Sequence, residues 1–215
     1  MIHAVVPIKS FRSAKTRLSP RLNEEQRACL ARACARRVLA AVAATDGIGH
    51  RIAVVEDAET ADLAARAHFE VLVRPDLWGQ SATVDAGFDL ARERGATGLL
   101  TVSADVPLTQ PRDLAELVRE TGLTMVSDRE GRGTNALYLA PAREFRLHFG
   151  PDSLSKHRRE ADLAGLRVRV VDNERLRLDV DTPDDLDALE IGGPEGREVL
   201  IEAGAAYRDL LREEA

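Results

Sequence analysis

The amino-acid sequence predicts an α/β fold, a mostly parallel sheet with helices on both faces. Short apolar runs alternate with helix-period stretches along the chain, the order that parallel strands joined by crossover helices require. Turn residues punctuate the alternation, with Gly47 and Gly95 closing helices and Pro107 ending a strand. Acids fall at the ends of two apolar runs, Asp105 after Gly98 to Val102 and the pair Asp179 and Asp181 around Val180. In α/β sheets the carboxyl ends of strands are where ligands bind.

His3 to Ile8 reads as the first strand. Lys9 to Arg21 is then a polar connection bearing Lys9, Arg12, Lys15, Arg17 and Arg21. It is either an anion site beyond the strand's end or a solvated basic loop, and Lys15 is expected to be exposed in it. The loop contains neither GxGxxG nor GxxxxGK followed by Ser or Thr, so it is neither a dinucleotide fingerprint nor a P-loop. Asn23 and Gln26 have the spacing of a capping box, and Ala31, Cys34, Ala35, Val38 and Val42 follow at helical spacing. Arg51 to Val55 is the second strand, Ala58 to Ala67 a helix, and Val71 to Val73 a third strand.

Arg74 to Ser81 is a turn-rich link into a helix from about Ala82 to Arg94. Gly79 and Ser81 at that helix start either offer donors to a ligand or simply cap the helix. Gly98 to Val102 is a buried strand that stops on Asp105. Pro111 opens a helix to about Glu120, and Leu123 to Ser127 is the next strand. A polar, glycine-bearing loop, 128–137, then feeds a strand ending at Leu139, with Thr134 and Asn135 where backbone can approach a ligand. Gly150 and Ser153 precede a helix from about Leu154 to Leu163, again a ligand site or an ordinary cap. Leu166 to Val171 and Leu178 to Val180 read as strands, and on the second Asp179 and Asp181 share a face. Thr182-Pro183-Asp184-Asp185 starts a helix, so Asp184 and Asp185 complement its dipole and are set aside as ligands. Gly192-Gly193-Pro194 breaks the chain, and residues 191–215 form a polar, acidic helical extension with no assigned function.

The 215 residues fit a single domain, 44% hydrophobic and 31% charged, and no apolar run approaches the ~18 residues of a membrane span. Nothing at the N-terminus resembles a signal peptide, so a cytoplasmic location is expected. A formal charge of −6 argues against a nucleic-acid surface. Cys29 and Cys34 lie on different sides of one predicted helix and read as small apolar fillers. Of 30 basic residues, Lys9, Lys15 and Lys156 alone are lysines. A compact ammonium acting on phosphate is one reason to keep lysine in the first loop, and chance is the other. The three acids Asp105, Asp179 and Asp181 together suggest a divalent metal.

Six blocks in order, Val5-Val6-Pro7-Ile8-Lys9, Ala14-Lys15-Thr16-Arg17-Leu18, Ala104-Asp105-Val106-Pro107-Leu108, Gly133-Thr134-Asn135-Ala136-Leu137, Phe149-Gly150-Pro151 with Ser153, and Leu178-Asp179-Val180-Asp181-Thr182-Pro183, resemble the phosphoenolpyruvate or 2-phospholactate guanylyltransferase family of coenzyme F-420 biosynthesis. The resemblance covers the chain to about Leu189. It implies a Rossmann-like nucleotidyltransferase fold with a mixed sheet, and transfer of GMP from GTP to a small phosphorylated carboxylic acid with release of pyrophosphate. It further implies that Asp105, Asp179 and Asp181 hold Mg2+, that Thr134, Gly150 and Ser153 hold the acceptor, and that Lys15 and Arg17 face the triphosphate and act with Asp105 in catalysis. Lys9, Gly79 and Ser81 complete the expected nucleotide side. One departure is Trp78-Gly79-Gln80-Ser81-Ala82, where the family usually has a Gly-Leu-Asn-x-Ala start to the nucleotide-side helix.

The implied partners are GTP and the phospho-acid, with no nucleic acid or membrane, and a homodimer is left open. Rival readings are a sugar-phosphate or molybdopterin nucleotidyltransferase on the same fold, and a non-catalytic nucleotide-binding protein. A nicotinamide-dependent oxidoreductase is disfavoured by the missing glycine fingerprint.

Overall fold

The computed structural model describes residues 1–77 and 79–213, with side chains as far as residue 204; Trp78, part of the departure at the third helix, lies outside the described residues. Strands β1 (Ile2–Ile8), β2 (Ile48–Val55), β3 (Glu70–Val73), β4 (Gly98–Val102), β5 (Gly122–Val126), β6 (Ala136–Ala140) and β7 (Val168–Val170) form one sheet in the order β3-β2-β1-β4-β6-β5-β7. β6 runs antiparallel to β4 and β5, and the other pairs are parallel. The expected mixed, mostly parallel sheet is therefore present. The chain winds from β1 out to β2 and β3, then returns to β4 on the other side of β1, so the winding direction reverses between β1 and β4. A crevice outside the strand ends at such a reversal is where α/β sheets bind ligands.

Alternation along the strands divides the core between the two faces. Val6, Val55, Leu100 and Val126 meet α1 (Glu24–Ala43), α2 (Ala58–Arg66) and α4 (Pro111–Leu117) on one face. Val5, Val54, Leu99 and Met125 meet α3 (Gln80–Glu93) and α5 (Ser153–Leu163) on the other. A third cluster joins the outer side of α1, through Leu30, Ala33 and Cys34, to α7 (Pro183–Ile191) and α8 (Pro194–Glu213) through Leu186, Leu189, Val199 and Ala203. The C-terminal helix is thus docked on α1, and ion pairs from Arg36 to Glu202 and from Arg37 to Glu198 border the contact. Both cysteines are buried and free. Among the described residues no helix is long and apolar enough to cross a membrane.

The helix start expected at Thr182 is a capping box closed by Asp185, and the capping box expected at Asn23 is present. The strand expected at Leu178 to Val180 is not. A short helix, α6 (Glu174–Arg177), precedes it, and the segment joins no ladder: at Leu178 the chain turns, Asp179 N–H donating back to Arg177 O at 3.2 Å. It is held from both ends instead: Asn135 Nδ2 donates to the carbonyls of Leu176 and Arg177 at the close of α6, at 3.1 and 3.2 Å, and Val180 N–H donates to Asp105 O at 3.0 Å. Leu178 and Val180 point inward while Asp179 and Asp181 stay partly exposed, so the predicted alternation survives without a sheet.

α3 is seated directly on the sheet at Gly87. A Cβ there would lie 2.4 Å from Val5 Cγ1 and 2.9 Å from Val54 Cγ2, both branched side chains fixed on strands. Gly87→Ala is expected to destabilise the protein by about 1–3 kcal/mol through overpacking. Urea denaturation with unchanged stability would show that α3 does not approach the strands this closely.

Candidate active site

Two adjoining cavities open beyond the carboxyl ends of β1 and β4. The first, about 350 Å³, is lined by residues including Lys9, Lys15, Glu56 and Thr83. The second, about 390 Å³, is lined by residues including Arg17, Thr134, Asn135, Gly150, Ser153 and Asp179. Gln80, Ser103, Asp105 and Asp181 line both, so two acids stand at the junction.

The first loop reaches this junction because it is anchored. Phe11 and Leu18 are buried, and Ser10 N–H donates to Glu56 Oε2 at 2.9 Å. Lys15 itself adopts left-handed backbone (φ 54°, ψ 38°) ahead of a 3-10 turn at Thr16–Leu18, which turns its side chain inward. The exposed lysine expected from the sequence is corrected here: the Lys15 side chain is 4% accessible. Its ammonium donates to Val180 O at 2.6 Å and to Asp181 Oδ1 at 3.3 Å, and lies 3.9 Å from Asp105 Oδ2. Burial opposes its charge, but the carboxylates of Asp105 and Asp181 prevail and raise the Lys15 pKa, so it remains an ammonium.

The acids respond to the same environment. Burial raises the Asp105 pKa against the opposing pull of Lys15. Burial, then the charge of Asp105, raises Asp179 to about 6, although Asn135 Nδ2 donates to Asp179 Oδ1 at 3.1 Å. Among the described residues no three His, Cys, Asp or Glu side chains are gathered closely enough to hold a metal ion. The expected three-acid cage is therefore not assembled in this arrangement: Lys15 engages Asp105 and Asp181, and Asn135 holds Asp179. The donor set nevertheless fits a hard divalent cation. Asp105 Oδ1 is buried with no hydrogen-bond partner among the described residues, and two neighbouring carboxyls with raised pKa values are short of positive charge.

The wall of the second cavity is built from loops. The Asp128 carboxylate accepts N–H bonds from Arg132 and Gly133, both at 2.8 Å, and a Cβ on Gly133 would lie 2.5 Å from Asp128 Oδ2. Leu154 N–H donates to Arg132 O at 3.0 Å, tying this loop to the start of α5. Gly150, with φ 110°, occupies backbone that a side chain would strain. Thr134 and Ser153 are buried, their hydroxyls 3.1 Å apart.

The structure thus brings Lys15, Asp105, Asp179 and Asp181 together, with Lys9 on the first cavity and Arg17, Thr134, Gly150 and Ser153 on the second. Gly79 and Ser81 line neither. Gly79 turns the chain into α3 with φ 84°, and Ser81 Oγ accepts the Phe149 N–H at 2.8 Å, fastening the 149–153 loop. The α3 residues that face the first cavity are Gln80 and Thr83, and Gln80 Nε2 donates to Ser103 Oγ at 3.1 Å. Sequence reasoning passed over Gln80, Thr83 and Ser103. Proximity to Asp105 was a signal for Ser103, whereas nothing local marks Thr83, which sits one helical turn beyond Gly79.

Comparison with known proteins agrees with this geometry. Residues 2–200 match the family described as guanylyl transferase CofC like. A phosphoenolpyruvate guanylyltransferase of Conexibacter woesei is 37% identical over 191 residues, covering 86% of each chain. A 2-phospho-L-lactate guanylyltransferase of Halorubrum lacusprofundi is 37% identical over 193 residues, covering 88% of this chain and 84% of the relative. A candidate nucleotide-diphospho-sugar transferase from Desulfovibrio desulfuricans superposes with a TM-score of 0.77 at 14% identity over 97% of both chains, a likeness of fold. By the length of these matches the chain is a nucleotidyltransferase and belongs to the CofC-like guanylyl transferase family.

Proposed function

We propose that this chain transfers GMP from GTP to a small phosphorylated carboxylic acid, phosphoenolpyruvate, 2-phospholactate or 3-phosphoglycerate, releasing pyrophosphate, as a step in coenzyme F-420 biosynthesis. The observation that carries the reading is the pair of cavities meeting at Asp105 and Asp181. A transferase that joins two phosphorylated substrates needs two pockets and charge control where they touch. Relatives named for phosphoenolpyruvate and for 2-phospholactate both support an acid of this size.

In this reading GTP occupies the first cavity, with Lys9 and Lys15 near its phosphates, and the acceptor occupies the second, against Thr134, Gly150 and Ser153. A phosphate oxygen of the acceptor attacks the α-phosphorus of GTP, forming a new P–O–P link as the bond to pyrophosphate breaks. With a second pKa near ~6 the acceptor phosphate is already ionised and needs no general base. Asp105 and Asp179, with Asp181, would hold Mg2+, which when bound would neutralise negative charge on the phosphates. Lys15 contributes a fixed cation at the same junction, and Arg17 lies on the acceptor side.

The direct test is purified protein with GTP, Mg2+ and each acid in turn, followed by pyrophosphate release; no release with any of the acids overturns the proposal. Folded Asp105→Asn should lose more than ~100-fold in turnover, as well-placed electrostatic groups do. Because Lys15 is buried, Lys15→Ala should lower both turnover and stability. It leaves Asp105 and Asp181 without their partner, a cost of roughly 1–3 kcal/mol, held to that range because these acids are 33% and 41% accessible. Thermal melting identical to wild type would show that the ammonium does not organise the junction. Ser153→Ala should reduce acceptor efficiency roughly tenfold to a hundredfold while GTP affinity without acceptor is unchanged. The opposite pattern would put the acceptor elsewhere.

A further inference from the structure

The wall of the second cavity hides a histidine that lines neither of the two cavities. His157, on α5, is fully buried beneath Thr134 and Ser153. Its ring packs edge-on to Phe149 at 5.0 Å and lies 6.1 Å from Phe145 and from His148. Both ring nitrogens are engaged. The backbone N–H of His148 points at Nε2 at 2.8 Å, and Thr134 Oγ1 lies 3.2 Å from Nδ1. Ser153 Oγ completes the row, 3.1 Å from Thr134 Oγ1.

The protons in this row can be counted. A backbone N–H can only donate, so Nε2 must present its lone pair, and a neutral imidazole then carries its hydrogen on Nδ1. Nδ1–H therefore donates to Thr134 Oγ1. Three hydrogens, on Nδ1, Thr134 and Ser153, serve two contacts, His157 to Thr134 and Thr134 to Ser153. One hydroxyl hydrogen is left over, and it has no acceptor among the described residues. Whichever hydroxyl carries it, the pair must offer it to the cavity. The other tautomer would reverse the row: Thr134 would donate to Nδ1, Ser153 to Thr134, and a lone pair would face the cavity and repel an anion. Burial, with His148 adding to it, lowers the His157 pKa to about 4, so the ring is neutral near pH 7. The charged groups facing it are few: His148 lies alongside, itself 3.3 Å from Glu160.

We propose that His157 is a positioning residue that, held as the Nδ1–H tautomer by the His148 backbone, polarises the Thr134 and Ser153 hydroxyls into a donor for an anionic oxygen of the acceptor. This rests on the placement of the acceptor in the second cavity. It makes the cavity selective for a carboxylate or phosphate over a neutral analogue of the same shape, through a residue that never meets the substrate.

Two measurements test it. Long-range proton–nitrogen NMR of the wild-type chain with labelled histidine should show His157 protonated on Nδ1 and bare on Nε2 near neutral pH. An Nε2–H tautomer or an imidazolium would overturn the proposal without any mutation. In kinetics, His157→Phe should raise the KM for the acceptor roughly tenfold or more, with kcat and GTP affinity little changed, because one charge-directed hydrogen bond is lost. His157→Asn, whose side-chain amide can donate from near the place of Nδ1, should bring that KM back toward wild type, whereas His157→Gln should resemble His157→Phe. If Ser153→Ala raises the acceptor KM and folded His157→Phe does not, the relay is wrong and the acceptor site stands. If both spare the acceptor KM and alter GTP binding, the placement of the acceptor has failed instead.

Discussion

The structure around the active centre depends on one buried cation. The Lys15 ammonium meets the carboxylates of Asp105 and Asp181 and the carbonyl of Val180, and so joins the loop after β1, the end of β4 and the irregular segment before α7. These segments are far apart in the chain and share no ladder. Without a central positive charge, three aspartates so close together would repel one another and draw in protons, and the raised pKa values of Asp105 and Asp179 show how near that limit the cluster lies. The cluster is therefore short of positive charge even with Lys15 in place.

Rigid and irregular parts have separate tasks. The sheet and α3 form a close-packed frame, tight enough at Gly87 to leave no room for a methyl group. The cavity walls are loops: the one after β1 is anchored by buried Phe11 and Leu18, and those of the second cavity are fastened by a few polar contacts. Asp128 gathers the backbone N–H groups of Arg132 and Gly133, Ser81 holds Phe149, and Asn135 holds the segment from Leu176 to Asp179. Polar side chains that bind backbone in this way fix loops without burying unsatisfied groups.

The hydroxyl row ending at His157 follows the same economy. A backbone N–H with no freedom to rotate selects a tautomer, the tautomer selects the direction of two hydroxyls, and the cavity acquires a donor. Specificity for an anion then resides partly in the polarity of neutral groups, where added arginines would have crowded a small pocket.

Much of this was legible in the sequence. The alternation of strands and helices, the capping box at Asn23, the helix start at Thr182, and the acids at Asp105, Asp179 and Asp181 are local patterns, and local periodicity and capping chemistry act over a few residues wherever the chain goes. The burial of Lys15 was not legible, because it depends on Phe11 and Leu18 anchoring a loop that reads as solvated and on partners far along the chain, Asp105 and, 166 positions away, Asp181. Leu178 to Val180 has a strand's pattern, yet it joins no ladder: Asp179 N–H turns back to Arg177 O, Val180 N–H goes to Asp105 O, and Val180 O accepts from Lys15. Ser81 read as a ligand donor or a cap and nothing local marked His157; only the packing of α3 and α5 against the cavity loops gives one a bond to Phe149 and the other a direction. Sequence by itself determined which elements form and which charges stand at their ends; tertiary structure decided which groups neutralise or orient one another, since pairings across long separations leave no local trace.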